Sequence, residues 1–216
     1  MELNFNRLLL DAGSVQMEFK KYDIIYSEKQ KLQGVYYLKA GKVRIDTSTK
    51  QKNAQVLMWL LVDENFFGIT SFFENDKIYQ YRATVVSDTA SVLFISSETF
   101  TYLISKNGAF RDYMFKLLNR RLDFINLRKS YSSRNSLRKK VADTLVYFDN
   151  ILAADPNSER IKRREISLTL SELSEMNNTS KKQMGVVIDD FVSKKIIERT
   201  ADKIWIKNYN KIIQIQ

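Results

Sequence analysis

ISLTLSELSEMNNTSKKQMGVVIDDF, residues 166–191, is the stretch on which the fold turns. Thr169 precedes Glu172 by three residues, the spacing at which a hydroxyl caps a helix start and a carboxylate closes the box from inside. Leu173 and Met176 give that first helix an inner face. Asn177-Asn178 breaks it, because Asn tolerates the left-handed backbone a tight helix–helix turn requires. Thr179 or Ser180 caps a second helix, along which Met184, Val187, Ile188 and Phe191 recur at helical spacing. Lys181, Lys182 and Gln183 fall in its solvent-facing first turn. This spacing predicts a helix–turn–helix, in which the N-terminal residues of the second helix face a DNA major groove. Two short helices around a polar turn also occur in proteins that bind no DNA, so the flanks decide.

Downstream, Ile196–Arg199 and Ile204–Lys207 flank Ala201-Asp202-Lys203 and read as a two-stranded wing. Upstream, Leu137–Ile151 carries Val141, Leu145 and Phe148 on one helical face and ends near the turn Asp155-Pro156-Asn157-Ser158. Ser132, Ser133, Arg134, Asn135 and Ser136 make a polar candidate hinge. Before it, a long helix is expected over 109–130, with Phe110, Met114, Leu117, Leu118, Leu122 and Ile125 at steps of three and four and Phe115 and Phe124 widening the stripe. A helix apolar on more than one face needs two packing partners. We assign one face to the N-terminal domain and the other to a second copy of the chain, making a homodimer; burial inside a monomer is the alternative.

Residues 17–100 read mostly as strands: Asp23–Tyr26, Gly34–Leu38, Lys42–Ile45, Val56–Leu61, Arg82–Val86 and Val92–Ile95. Turn material such as Ala40-Gly41, Thr47–Asn53 and Glu74-Asn75-Asp76 separates them. The expected fold class is α+β: an antiparallel β-barrel or jelly roll over 1–108, a dimerisation helix and hinge over 109–135, and a winged helix–turn–helix over 136–216.

Composition narrows the function. The 216 residues include 35 Lys and Arg against 25 Asp and Glu, with no Cys and no His. Disulfides, zinc fingers, iron–sulfur clusters, His-ligated haem and His- or Cys-based catalysis are therefore excluded. Residues 1–100 hold 12 basic and 12 acidic residues, and residues 101–216 hold 23 and 13, so the whole surplus lies in the second half. One basic half beside a neutral one suits a polyanion-binding module joined to something else; a solvated basic surface is the bland alternative. No apolar run approaches the roughly 20 residues of a membrane span, and residues 1–12 lack the pattern of a secretory signal or transit peptide. No Gly-rich phosphate loop or GxSxG appears, and enzymes on this barrel type generally hold a metal with histidines, so a barrel-fold enzyme is the remote alternative and no catalytic residue and no cofactor is assigned.

The order of barrel, long helix and winged helix–turn–helix resembles the Crp/Fnr transcription regulators over nearly the whole chain. Ile166, Leu168, Thr169, Glu172, Leu173, Glu175, Thr179 and Ser180 stand at that family's usual helix–turn–helix places, and VYYLKAGKVRI (35–45) looks like its second hairpin, where glycine makes the turn. Within the family the likeness is greatest to the NtcA branch, the nitrogen-control activators of cyanobacteria and red-algal plastids. Phe67-Gly68-Ile69-Thr70-Ser71 resembles that branch's Phe-Gly-Val-Leu-Ser turn, and Leu118-Asn119-Arg120-Arg121-Leu122 its Leu-Ser-Ser-Arg-Ile segment. The resemblance implies a DNA-binding activator that contacts RNA polymerase, in a plastid stroma or alternatively a bacterial cytoplasm. It implies DNA contacts from Thr169, Thr179, Ser180, Lys181, Lys182 and Gln183.

It also implies an effector site at Phe67, Gly68, Ile69, Thr70, Gln80, Arg82 and Arg121. Cyclic-nucleotide-binding members carry Phe-Gly-Glu for the ribose and Arg-Ser or Arg-Thr for the phosphate; here Ile69 replaces the glutamate and Ala83 follows Arg82. A ribose hydroxyl left unpaired costs about 1–3 kcal/mol, which disfavours cyclic AMP. The NtcA-like pocket takes 2-oxoglutarate between two arginines, whose guanidinium groups suit carboxylates. Arg121 matches the arginine from the partner's long helix. Gln80 stands where the barrel arginine is expected, with Arg82 two residues on and on the same strand face. The alternative is that Arg82 pairs with a structural carboxylate and the chain acts without an effector. On the reading helix, relatives hold arginine where Lys181 and Val186 stand, so a shifted, A/T-tolerant site is expected, with Lys182 and Gln183 contributing more.

Overall fold

The structure is a computed structural model that describes residues 4–48, 55–131, 136–152 and 165–215. The expected hinge residues 132–135, the turn at 155–158 and most of the turn at 47–53 lie outside the described residues. The chain divides into two compact units, 1–116 and 117–216, with the boundary inside the long helix rather than at either end of it.

The first unit opens with helix α1 (Phe5–Asp11), whose first turn Asn4 caps by accepting from the Arg7 N–H at 3.0 Å. Strands β1 (Val15–Lys20), β2 (Ile24–Tyr26), β3 (Gly34–Ala40), β4 (Lys42–Ser48), β5 (Gln55–Val62) and β6 (Asn65–Phe67) follow. Then come the single turn α2 (Ile69–Phe72), strands β7 (Arg82–Val85) and β8 (Thr89–Ser96), α3 (Ser97–Lys106), and the start of α4 (Gly108–Ser130). The six expected strands are present, most of them a residue or more longer than expected. Of the two expected architectures, the barrel is corrected and the two-sheet alternative stands. The strands form two four-stranded antiparallel sheets, β1-β8-β3-β6 and β2-β7-β4-β5, packed as a sandwich. No ladder among the described residues joins the sheets, so β1, β6, β2 and β5 remain edge strands.

Both faces of β3 are buried, which explains its run of large side chains, Val35, Tyr36, Tyr37 and Leu38. Tyr37 and Phe66 meet Phe5, with Phe110 and Tyr113 of α4 completing an aromatic cluster under the helices. On the other face Tyr36 stacks with Phe67 and Tyr26, and Tyr26 lies 3.9 Å from Tyr79, ring centroid to centroid. The Tyr79 hydroxyl donates to the Gly34 carbonyl at 2.9 Å. Burial pushes the Tyr36 and Tyr37 hydroxyls up, so both stay protonated. Gly41 makes the β3–β4 turn at φ +105°, and a Cβ there would meet the Thr89 carbonyl oxygen at 2.6 Å. Only glycine satisfies both conditions.

The second unit comprises the rest of α4, then α5 (Leu137–Leu152), α6 (Leu170–Met176), α7 (Lys181–Ser193), β9 (Ile197–Arg199), β10 (Ile204–Ile206) and α8 (Tyr209–Ile213). α5 packs on α7 and α8. Its Val141, Leu145 and Phe148 are buried as the periodicity predicts, and Tyr147 stacks on Phe124 of α4 at 3.7 Å. Each fully buried Leu, Phe or Ile contributes about 1.5–3 kcal/mol.

Candidate functional site

α6 begins with the expected capping box. Thr169 Oγ1 accepts from the Glu172 N–H at 3.2 Å, and Glu172 Oε2 accepts from the Thr169 N–H at 2.6 Å. α6 ends at Asn177, and Asn178 takes the left-handed conformation at φ +49°. The turn is anchored from α5: Thr144 Oγ1 bonds Asn177 Oδ1 at 3.2 Å, while Asn177 Nδ2 donates to the Leu173 carbonyl at 2.9 Å. Ser180 then caps α7, accepting from the Gln183 N–H at 3.2 Å. Thr179 is the last turn residue rather than the cap.

α7 buries Met184, Val187, Ile188 and Phe191 and exposes Lys181, Lys182, Gln183 and Val186. The two lysines make no ion pair among the described residues. Gln183 Oε1 accepts from both Thr179 Oγ1 at 2.9 Å and Ser180 Oγ at 3.2 Å, which leaves its amide NH2 as the outward group. The C-terminal half of α7 is acidic and its charges are tied off. Asp189 bonds Arg199 at 2.9 Å, and Asp190 bonds Arg138 and, at 2.9 Å, Lys194. The hydrogen bond from Lys194, with Arg138 beside it, holds the Asp190 carboxyl below its ordinary range. The exposed face therefore runs from cationic at its N-terminus to neutralised acid at its C-terminus, the polarity that suits an anion at the helix start.

A two-stranded antiparallel hairpin follows α7 where the two strands were expected, with Ile204, Trp205 and Ile206 opposite Arg199, Glu198 and Ile197. Ile166 adds a bridge to Ile204 through two 2.9 Å backbone hydrogen bonds, and Lys203 bonds Glu165 at 2.8 Å. These contacts tie the hairpin to the segment before α6, and the Asp189–Arg199 pair ties it to α7. Sequence patterning missed the Asp189–Arg199 and Arg138–Asp190 pairs, since neither has helical or cross-strand spacing. α8 was missed too, though Asn208 caps it as a sequence signal would have suggested.

The expected effector residues divide into three groups. Phe67 and Ile69 are fully buried, Phe67 in the Tyr26–Tyr36 stack and Ile69 at the start of α2. Between them Gly68 sits at φ +79°, where a Cβ would have room but the backbone favours glycine. Thr70 is half-buried on α2, and the Gln80 N–H donates to Ser71 Oγ at 2.9 Å, which brings Gln80 beside that turn. Among the described residues no hydrogen bond joins Arg82 to them. Asp46 stands opposite Arg82 on β4, and Asp46 Oδ1 accepts from Arg82 Nη2 at 2.9 Å while its Oδ2 accepts from Arg44 Nε at 3.0 Å. Asp46 is only 2% exposed, so this is a carboxylate held between two guanidinium groups. Arg44, Asp46, Arg82 and Thr84 share the sheet face opposite to that of the buried Val43, Ile45, Ala83 and Val85. Asp46 is the residue the sequence reading overlooked, though a lone acid in VRIDTS was its signal. Arg121 lies in the second unit, 5% exposed, on the buried row of α4 with Phe110, Met114, Leu117 and Phe124.

Among the described residues no cluster of acids could hold a metal ion, and no helix is long and apolar enough to cross a membrane. Residues 16–107 match the family model described as the cyclic nucleotide-binding domain. No curated protein sequence matches the chain. Solved structures match along nearly its full length. FixK2 from Bradyrhizobium japonicum is 14% identical with a TM-score of 0.72, over 94% of this chain and 97% of that one. A CooA mutant from Carboxydothermus hydrogenoformans is 18% identical with a TM-score of 0.67, over 99% and 91%. A Crp/Fnr-family transcriptional regulator from Thermus thermophilus is 17% identical with a TM-score of 0.59, over 93% and 97%. The fold is similar to that of these solved structures. At these identities the likeness is one of fold.

Proposed function

We propose that the chain is a homodimeric, sequence-specific DNA-binding transcription regulator. The observation that carries this reading is the start of α7: a capped helix presenting Lys181, Lys182 and the Gln183 amide to solvent, in the half of the chain that holds all the net charge. Phosphate contacts from such cations supply affinity, and side chains of the same turn reach base edges. Dimerisation is supported by Phe115, Leu118, Leu122 and Ile125, spaced 3-4-3 along α4, of which Phe115 is 52% and Leu122 54% exposed. A two-fold dimer calls for palindromic half-sites one helical turn apart.

The finer reading is an activator of nitrogen-responsive genes in a plastid or bacterium, contacting RNA polymerase and sensing 2-oxoglutarate through Arg82 and Arg121. Its support is the Phe67–Ser71 turn, the Arg121 match and the second arginine at position 82. The salt bridge between Arg82 and Asp46 favours a second reading, a regulator that acts without this effector. Selection of full-length protein on a random-core palindrome library, at fixed salt with and without millimolar 2-oxoglutarate, separates them. An enriched symmetric site that tightens with the metabolite supports the sensor, and one indifferent to it supports the second reading. No enrichment would end the DNA-binding reading.

A further inference from the structure

Val186 has no packing role within its own helix. It is 67% exposed in the middle of α7, while the helix's packing is complete with Met184, Val187, Ile188 and Phe191. Nor does it serve helix formation, since a β-branched side chain loses rotamer freedom there and lowers helix propensity. Its neighbours at three and four residues are Lys182, Gln183, Asp189 and Asp190, all polar, so its own helix builds no apolar patch around it. The Cα–Cβ bond of a helical residue tilts toward the N-terminus, which leans the Val186 isopropyl group toward the Lys182–Gln183 turn.

We propose that Val186 reads a thymine methyl group in the DNA major groove. This deepens the DNA-binding reading and rests on it. Thymine alone among the four bases carries a methyl there, and an isopropyl group offers it contact without a donor or acceptor. Guanine, adenine or cytosine at that position would face a side chain unable to pair with their polar edges. The flanking groups fit the assignment: the lysines supply charge, the Gln183 amide offers donors only, and Asp189 is held off by Arg199. Each half-site would carry one A·T pair specified by apolar contact, with Lys182 and Gln183 setting its neighbours.

The test uses the full chain and the duplex enriched from the random-core library. Each thymine is replaced by deoxyuridine, one symmetric pair of positions at a time, and the Kd is measured at fixed salt for wild type and Val186→Ala. One symmetric position should weaken wild-type binding about fourfold per half-site, the equivalent of ~0.8 kcal/mol for one buried methyl at 1.4 kcal/mol per tenfold. At that position Val186→Ala should change less than twofold. An enriched site with no deoxyuridine-sensitive position, or one equally sensitive in Val186→Ala, overturns the assignment while leaving DNA binding intact. Failure to enrich any site overturns DNA binding itself, and the assignment with it.

Discussion

Replacing both Lys181 and Lys182 by alanine tests the proposed interface where it is most specific. Neither lysine has an ion-pair partner among the described residues, and the cap of α7 is made by Ser180 and the Gln183 N–H, which the substitution leaves alone. Alanine is also the better helix former, so the fold should survive with its melting temperature unchanged or slightly raised. Each lysine that neutralises a phosphate contributes about 0.9 to the slope of log K against log salt on duplex DNA. A dimer loses four lysines, so the slope should fall by up to ~3.6. Between 50 and 200 mM salt, a fourfold change, that difference shrinks the ratio of wild-type to variant affinity by about 150-fold. Fluorescence anisotropy on the enriched duplex across that salt range reads it directly. If one lysine contacts a base edge instead, the slope falls by about half as much and discrimination at one base pair relaxes. An unchanged slope with an unchanged melting temperature would refute the placement of this helix turn against DNA.

Thr169→Ala removes the hydroxyl of the capping box and should cost about 1 kcal/mol in urea unfolding, a loss that Thr169→Ser largely restores; no loss would mean the box observed at α6 is energetically idle. Asp46→Ala leaves two guanidinium groups on one sheet face without their shared carboxylate, and the broken buried pair should cost about 3 kcal/mol. A loss below ~1 kcal/mol in the same assay would show that solvent screens the arginines well enough to make Asp46 dispensable. Millimolar cyclic AMP should leave the melting temperature unmoved, because Ile69 offers no acceptor for a ribose hydroxyl; a clear upward shift would contradict this. Asp190 has its carboxyl held down in the folded state, so its contribution is present above the ordinary carboxyl value of 3.8 and lost as pH falls through the lowered one. The stability gap between wild type and Asp190→Asn should thus stay constant from pH 8 to 5 and close in acid; a gap that widened in acid would reverse the assignment.

The elements read most surely from sequence were those whose burial follows a single period. Met184, Val187, Ile188 and Phe191 at helical spacing, with Ser180 before them, placed α7, and Val43 and Ile45 placed β4 by alternation. β1 escaped such reading because its VQMEFK run is largely exposed and gives alternation little to report. α2, a single turn after Gly68, is too short to show any period. The choice between barrel and jelly roll stayed open, since closure depends on whether the edge strands pair with one another, and local patterning carries no term for that. Along α7 burial follows one local period, and so Lys181, Lys182 and Gln183 are exposed where the spacing put them. The residues assigned to an effector depend on contacts between strands, and sequence spacing alone could not say that Arg82 faces Asp46.

That pairing bears on how the sandwich could sense a metabolite. A dicarboxylate that took the Nη2 of Arg82 would have to compete with a carboxylate already held there at 2.9 Å and buried. Were Arg82 drawn away, Asp46 would keep Arg44 at 3.0 Å, so the cost is the loss of one of two charge-assisted bonds rather than the stranding of a buried charge. Asp46 has no such second guanidinium to spare if Arg44 moves as well. A ligand drawing on Arg82 therefore needs Arg44 to stay, and its affinity would include the cost of breaking one carboxylate–guanidinium bond, about 1.5–3 kcal/mol for a bond to a charged group. By that measure a sensor built on Arg82 would respond only to a metabolite present well above the concentration that an uncommitted arginine would require, and an effector-independent regulator would use the same three residues simply to tie β4 to β7.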